Sequence, residues 1–105
     1  MATELQKLVW EKLKEIPEGR VTTYKHLADA LNTKAVRSVA SAVGKNPYAP
    51  NVPCHRVVLS SKKVGQYTHI LGVKRKIELL QKEGVVIDNN LVVNFDKIIF
   101  SWDAQ

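Results

Sequence analysis

The sequence predicts a mainly α-helical fold with small β hairpins, arranged as a winged helix-turn-helix domain. Apolar residues recur at helical spacing in its first half, a tight turn separates two short candidate helices, and a proline-rich loop then leads into a basic hairpin. The chain has 105 residues, of which 45% are hydrophobic and 25% are charged. This is the size and composition of one globular domain, which we expect to span residues 1–105.

The first predicted helix begins with a capping box, because Thr3 is followed three residues later by Gln6. Pro17 and Gly19 are expected to end this helix. Its apolar positions follow helical spacing: Leu5, Leu8, Val9, Leu13 and Ile16.

The second and third predicted helices form the helix-turn-helix. Thr23 is the expected N-cap of the second helix, and Thr33 is the expected N-cap of the third. The third helix is predicted from residue 34 to about residue 43, where Gly44 ends it. The predicted buried faces are Leu27, Ala28 and Leu31 in the second helix and Val36, Val39, Ala40 and Val43 in the third.

The opposite face of the third helix carries only cationic or small side chains, namely Lys34, Arg37, Ser38 and Ser41. Such a face fits closely into a groove of DNA, which favours a recognition helix. An ordinary three-helix core would produce the same spacing, so the pattern has a purely structural alternative.

The second half of the chain is predicted to contain a loop, two hairpins and a helix. Three prolines block regular hydrogen bonding over residues 45–53. Residues 56–59 and 64–67 are predicted to pair around a basic turn that would form the wing. A fourth helix, over 73–80, is expected to end at 83–84, and a terminal hairpin to pair 85–87 with 91–95. We expect this extension, residues 85–105, to pack on the core through Ile98, Ile99, Phe100 and Trp102.

Basic residues dominate the middle of the chain. The formal net charge is +6, and residues 30–77 contain nine Lys and Arg residues but no Asp or Glu. This one-signed stretch favours a polyanionic partner, with nucleic acid ahead of an anionic membrane. A solvated basic face with no partner would have the same composition.

Several protein classes are excluded by simple counts. The single Cys54 excludes an internal disulfide and a multi-cysteine zinc site, and it suggests a reducing compartment. The sequence has no apolar run long enough to cross a membrane, and its charged N-terminal segment does not resemble a signal peptide. We therefore expect an intracellular monomer, cytoplasmic or nuclear, with no membrane association.

The segment Pro53-Cys54-His55-Arg56 has the clearest chemical signal. A thiol becomes a useful nucleophile when a neighbouring group lowers its pKa or removes its proton. His55 and Arg56 directly follow the thiol, in a stretch that is already electropositive. The structural alternative is that Cys54 serves as a small buried apolar residue.

With its flanks, this segment resembles the active-site signature of the O6-alkylguanine-DNA alkyltransferases. The resemblance covers roughly residues 5–84 in the order of the family's landmarks. The other landmarks are residues 16–24 at the entry to the helix-turn-helix, 35–39 in the recognition helix, 44–47 before the cysteine, and 65–67 and 79–84 after it.

The resemblance implies a role for each of five candidate catalytic residues. Cys54 would take the alkyl group directly from the damaged guanine, and His55 would act through a water as its base. Glu83 would orient the imidazole, and Asn46 would brace the active-site turn. Tyr24 would neutralise charge on the leaving guanine or strain the backbone phosphate. The product is a stable thioether, so each molecule would react once, without a cofactor or a metal.

The implied partner is double-stranded DNA that contains O6-alkylguanine. Arg37 would fill the space left by the flipped base, because a base cannot be attacked inside the stack. The other residues predicted to contact DNA are Thr23, Lys34, Ser38, Ser41, Lys45 and Arg56. The residues predicted to line the base pocket are Pro53, Val57, Tyr67 and Thr68.

The sequence departs from the family in ways that favour a second interpretation. Two residues are inserted after Tyr67, Ala40-Ser41 replaces a glycine pair, and a tail follows residue 84. We also expect no further domain ahead of residue 1. These features resemble the alkyltransferase-like proteins, which bind alkylated guanine without repairing it and flag it for nucleotide excision repair proteins. Their cysteine is replaced, whereas Cys54 is intact, so we predict transfer and keep lesion binding as the alternative.

Two other classes of protein remain open, as do purely structural roles for three of the candidate catalytic residues. A sequence-specific winged-helix regulator would need base-reading side chains, and the third helix offers only Lys34 and Arg37. A structural chromatin protein would leave the cysteine segment unexplained. Taken alone, Tyr24 could be a packing aromatic, Asn46 a turn former and Glu83 a solvated residue.

Overall fold

A computed structural model describes residues 2–48, 51–65 and 72–102. Over these residues the protein is mainly helical with two small sheets, as predicted. In chain order the elements are α1 (Glu4–Leu13), β1 (Thr22–Thr23), α2 (Tyr24–Ala30), α3 (Val36–Gly44), a 3₁₀ turn (Cys54–Arg56), β2 (Val57–Val58), α4 (Val73–Lys82), β3 (Ile87–Asp88), β4 (Leu91–Val92) and α5 (Phe95–Ile98).

Helix α1 has the capping box that the sequence predicts. The Thr3 hydroxyl accepts from the Gln6 amide at 3.1 Å, and the Thr3 amide donates to the Gln6 side chain at 2.9 Å. The helix ends at Leu13, earlier than predicted, and residues up to Ile16 follow in a tighter turn with i→i+3 hydrogen bonds. Ile16 is buried in that turn. Its apolar side chain therefore reflects burial and does not indicate a longer helix.

The helix-turn-helix is present, with two corrections to α3. Thr23 caps α2 by accepting from the His26 amide at 3.0 Å, as predicted. Thr33, however, accepts from the Ala35 amide within the turn, and α3 begins only at Val36. The buried face of α3 consists of Val39, Ala42 and Val43. Val36 is 36% exposed and Ala40 is half-buried, because these two residues face the cavity described below and not the core.

The pairing predicted for the basic hairpin is wrong. Val57–Val58 pairs in parallel with Thr22–Thr23 and not with residues 64–67. Both valines are fully buried, as in a strand covered on both faces, which suits a parallel pair. The chain does turn back after β2, since the Leu59 amide donates to the Lys63 carbonyl at 3.0 Å, but Val64 then bonds to Asn90. Residues 66 and 67 of the predicted hairpin lie outside the described residues.

The C-terminal extension is part of the folded core. Strands β3 and β4 form the predicted hairpin, and Asn89 and Asn90 both have the positive φ that its tight turn requires. Phe95 does not extend the second strand as predicted, because it begins the short helix α5. Ile99 then pairs with Val21, and Phe100 is buried against the helical core.

Two apolar clusters hold these elements together. One joins α1, α2 and α3 with Cys54, Val57 and Phe100. The other joins Val21 and Val58 to α4 and the terminal hairpin. Within the ranges that the structure describes, no helix is both long and apolar enough to cross a membrane.

Candidate active site

The Cys54 turn is positioned by the loop that precedes it. Asn46 is buried, and its side-chain amide donates to the Val52 carbonyl at 2.8 Å while its oxygen accepts from the Tyr48 amide at 2.9 Å. The Cys54 amide donates to the same Val52 carbonyl at 2.8 Å, across Pro53 in an inverse γ-turn geometry. Asn46 thus holds the backbone of the loop that carries Cys54.

Cys54 lies in the wall of a cavity of about 670 Å³, and only 3% of the residue is exposed. This volume is typical of small-ligand sites and exceeds what one purine base requires. The cavity opens between α2, α3 and the turn that follows β2. Its other lining residues are Tyr24, Lys25, Val36, Arg37, Ala40, Val43, Gly44, Leu59, Ser60, Lys63, Gly65, Val73 and Asn90.

The buried His55 forms a hydrogen-bonded network with the partly buried Glu83 and Arg56. His55 Nε2 lies 2.8 Å from Glu83 Oε2, and only 2% of His55 is exposed. Arg56 donates from Nε and Nη2 to the two carboxylate oxygens of Glu83 at 2.9 and 2.8 Å, and from Nη1 to the Ile16 carbonyl at 2.8 Å. Both carboxylate oxygens of Glu83 therefore accept strong, charge-assisted hydrogen bonds.

Gly19 allows the loop after α1 to lie close to the backbone of Glu83. The residue has a φ of +84°, and a Cβ at this position would lie 3.2 Å from the Glu83 carbonyl oxygen. Only glycine adopts this conformation without strain and leaves room for the close approach. The loop that carries Ile16 is thereby held against the end of α4.

The network keeps His55 neutral with its free lone pair on Nδ1. Burial lowers the pKa of His55 from its ordinary 6.5, and Arg56 and Lys76 lower it further. The hydrogen bond and charge of Glu83 act in the opposite direction but do not outweigh the burial. When Nε2 carries the proton that Glu83 accepts, Nδ1 is an acceptor, and it is buried with no protein hydrogen-bond partner among the described residues. His55 is thus able to take a proton at Nδ1.

This pKa shift predicts a pH dependence of stability. Because the folded protein favours neutral His55, the unfolded chain binds the proton more readily once the pH falls below about 6.5. The free energy of unfolding should therefore decrease as pH falls from 6.5 towards the folded-state pKa. Urea unfolding at several pH values should show a steeper decrease for wild type than for His55→Gln. Parallel curves would contradict the assignment.

Burial and the thiol also affect Tyr24. Burial first, and the negative charge of the Cys54 thiolate second, raise the pKa of Tyr24 to about 12. Tyr24 therefore keeps its phenolic proton at neutral pH and faces the cavity as a hydrogen-bond donor.

The sequence analysis missed three lysines in this region: Lys25 and Lys63, which line the cavity, and the buried Lys76. Lys76 is fully buried on α4, and burial lowers its pKa to about 8 while the Cys54 thiolate opposes that shift. A usable signal was present, because Lys76 follows Val73 by three residues and precedes Leu80 by four, which places it on the apolar face of α4.

The residues predicted to contact DNA divide into two groups. Five are exposed on α3 or at its ends, namely Lys34, Arg37, Ser38, Ser41 and Lys45. The predicted DNA contacts of Arg56 and Thr23 do not agree with the structure, because both side chains make hydrogen bonds within the protein. Arg56 is held by Glu83 and Ile16, and Thr23 is buried as the cap of α2.

The predicted pocket residues do not coincide with the described wall of the cavity. Pro53 and Val57 are buried, and neither is among the described residues that line the cavity. Val57 is instead committed to β2 and the core. Tyr67 and Thr68 lie outside the described residues. The described wall of the cavity comes mainly from α2, α3 and the turn after β2, and these contributions from separate elements could not be read from one contiguous motif.

Comparison with known proteins identifies the family. Residues 4–85 match the family model described as 6-O-methylguanine DNA methyltransferase, DNA binding domain. The chain belongs to this family. The resemblance predicted from the cysteine segment and its flanking landmarks is therefore confirmed.

Individual relatives extend the comparison. The methylated-DNA–protein-cysteine methyltransferase of Candida glabrata is 43% identical over 88 residues, which cover 83% of this chain and 42% of the relative. The chain spans about half or less of the length of the curated relatives it matches.

Solved structures confirm the helix-turn-helix type of fold. OGT from Mycobacterium tuberculosis, solved in complex with DNA, superposes with a TM-score of 0.72 at 40% identity and covers 79% of this chain and 51% of its own. Atl1 from S. pombe, solved in complex with damaged DNA containing O6-carboxymethylguanine, has a TM-score of 0.82 at 26% identity. That match covers 96% of this chain and 99% of Atl1, so it includes the C-terminal extension.

Proposed function

We propose that this chain repairs O6-alkylguanine in duplex DNA by moving the alkyl group irreversibly to Cys54. The observation that carries the proposal is the position of Cys54, in the wall of a cavity with room for a purine base and directly before the His55–Glu83–Arg56 network. The names of the family relatives support the same reaction type. Each molecule reacts once, because the thioether formed is not reversed by any group in the site.

The chemistry balances with the protein and the lesion alone. The Cys54 thiol loses its proton through one water to His55 Nδ1, and Glu83 stabilises the resulting imidazolium. The thiolate attacks the alkyl carbon, the S–C bond forms and the C–O6 bond breaks. The bonding electron pair leaves with guanine, which takes up one proton. Tyr24 faces the cavity as a neutral donor and stabilises charge on that leaving base.

The exposed face of α3 is the proposed DNA interface. Arg37 lies at the cavity mouth and is exposed, which suits a side chain that fills the place of the flipped guanine. Ser38 and Ser41 keep the helix face slim, and Lys34 and Lys45 lie at its two ends. Two structural relatives were solved with DNA, one of them with an alkylated guanine.

A second candidate function is lesion recognition without transfer. The observation that favours it is the near-complete overlap with Atl1, which was solved with O6-carboxymethylguanine DNA. In this case the bound lesion would be passed to nucleotide excision repair proteins.

Intact-protein mass spectrometry separates the two functions. Wild type and Cys54→Ser are incubated with a duplex oligonucleotide that contains O6-methylguanine. We expect wild type to gain the mass of one methylene and to stop at one per molecule, while Cys54→Ser gains nothing. A gel shift on the same duplex with no mass gain would contradict transfer and establish the lesion-binding function. A gain that persists in Cys54→Ser would place the acceptor elsewhere.

A further inference from the structure

The C-terminal extension reaches the wall of the cavity that contains Cys54. The match to the family model ends at residue 85, whereas Asn90, in the turn of the terminal hairpin, lines this cavity. The extension therefore supplies a part of the site that lies outside the matched domain. Two other polar residues of the cavity wall, Ser60 and Lys63, belong to the turn after β2.

Backbone hydrogen bonds join the turn after β2 to the terminal hairpin. The Val64 amide donates to the Asn90 carbonyl at 3.0 Å, and Lys63 forms an antiparallel bridge with Leu91 of β4. Within the turn itself, the Leu59 amide donates to the Lys63 carbonyl at 3.0 Å. The end of the turn is thus held alongside β4, and the hairpin fixes the place of Lys63 on the cavity wall.

Two adjacent lysines of this turn have different surroundings. The ammonium nitrogen of Lys62 lies 3.7 Å from the Asp96 carboxylate and 5.8 Å from the centre of the Phe95 ring, so it is directed to α5. Lys63 instead lines the cavity and is exposed to solvent. Lys63 is therefore the member of the pair that meets a ligand entering the cavity.

The rim of the cavity has the composition of an anion-binding surface. Its three exposed cations come from three elements, with Lys25 from α2, Arg37 from α3 and Lys63 from the turn after β2. No Asp or Glu lines the cavity within the part of the chain that the structure describes. Ser60 and Asn90, which are also exposed, add a hydroxyl and an amide that can donate hydrogen bonds to phosphate oxygens.

We propose that Lys63 and Asn90 bind the phosphodiester backbone of the strand that carries the flipped guanine, on a different side of the cavity from α3. The inference rests on the proposed function, because a guanine that enters this cavity brings the phosphates on either side of it to the rim. Contacts to phosphates fix the position of a protein on DNA without reading its sequence. The terminal hairpin acts as a brace that completes this second contact surface.

The salt dependence of binding tests the role of Lys63. Duplex DNA with one O6-methylguanine is titrated at several salt concentrations, with all proteins in a Cys54→Ser background so that no transfer disturbs the equilibrium. Each phosphate contact adds about 0.9 to the slope of log K against log salt, so Lys63→Met should reduce that slope by about one. The matched control is Lys62→Met, which removes the same charge from the adjacent residue and should leave the slope close to that of the parent.

A second pair of variants tests the role of the hairpin. Asn90→Gly removes the side-chain amide, and glycine adopts the φ of +64° at this position without strain. Asn89→Gly is its control, since Asn89 has a φ of +50° in the same turn and is not among the described residues that line the cavity. We expect Asn90→Gly to weaken duplex binding by about threefold to tenfold, as the loss of a hydrogen bond to a charged group does, and Asn89→Gly to leave it unchanged.

Equal slopes for Lys63→Met and Lys62→Met would overturn the proposal, because loss of charge without a contact would then explain any weakening. Equal affinities for the two asparagine variants would overturn the part assigned to the hairpin. The variant residues are exposed, so we expect all four proteins to fold, and urea unfolding checks this.

Failure of the proposed function has a different signature. A smaller slope in Lys63→Met, together with no methyl uptake by wild type, would contradict transfer and leave the second contact surface established. Methyl uptake by wild type, together with equal slopes for the two lysine variants, would contradict the contact surface and leave transfer established.

Discussion

Glu83→Ala is expected to impair both the stability and the methyl transfer of this protein. The change removes the acceptor for Arg56 and for His55 at once and leaves a partly buried guanidinium without its anion. Removing one partner of a fully buried ion pair costs about 3–5 kcal/mol, so we expect a loss at the lower end of that range, about 3 kcal/mol, for this partly buried pair. Loss of the group that orients the base should also slow methyl transfer by about 100-fold or more. Urea unfolding and single-turnover transfer on methylated duplex measure the two effects.

Glu78→Ala is the matched control for this prediction. Glu78 lies on α4, 43% of its side chain is exposed, and its pair with Arg75 at 3.5 Å is at the surface. A surface pair of this kind contributes less than about 1 kcal/mol, so both stability and transfer should remain close to wild type. Equal losses in the two variants would contradict the network.

The pH dependence of the Glu83 effect gives a further check. Burial alone would raise the pKa of Glu83, but the hydrogen bonds and charges of Arg56 and His55 outweigh it and hold the pKa below 4.5. The stabilisation is therefore complete above pH 4.5 and is lost as the pH falls through the folded-state pKa. The difference in free energy of unfolding between wild type and Glu83→Ala should shrink over that acidic range.

Arg37→Ala is expected to separate base flipping from chemistry. Extruding a base costs a few kcal/mol, and a side chain that fills the vacated space offsets part of this cost. Each 1.4 kcal/mol corresponds to about a tenfold change in rate, so transfer from duplex DNA at saturating protein should fall by about 10-fold to 100-fold. Reaction with free O6-benzylguanine, which needs no flipping, should change little. Single-turnover mass spectrometry on both substrates provides the comparison.

Lys34→Ala serves as the control for lost positive charge. Lys34 is exposed just before α3 and is not among the described residues that line the cavity. Its removal should weaken duplex binding, mainly at low salt, and this loss should disappear at saturating protein. If Arg37→Ala slows reaction with the free base as much as with the duplex, Arg37 does not act as a wedge.

Much of the local structure could be predicted from the order of residues. The capping box at Thr3, the cap at Thr23, helix α4 and the tight turn at Asn89 and Asn90 all depend on hydrogen bonds or dihedral angles within a few residues. The Cys54 segment and its flanking landmarks were also sufficient to predict the family. These features are local, so they can be recognised in the sequence without knowing what packs against them.

The contacts that define the site could not be predicted in this way. Val57 pairs with Thr22 across a long stretch of chain. Arg56 turns inward to Glu83, although its place in a basic segment predicted a DNA contact. Lys76 belongs to the basic stretch that favoured a polyanionic partner, and it lies fully buried on α4. Composition records how many charges a chain has, but whether each one faces water depends on which distant elements pack over it. Burial and pairing of charges are consequences of that packing, and they determine which cations of this chain are available for DNA and which belong to the site around Cys54.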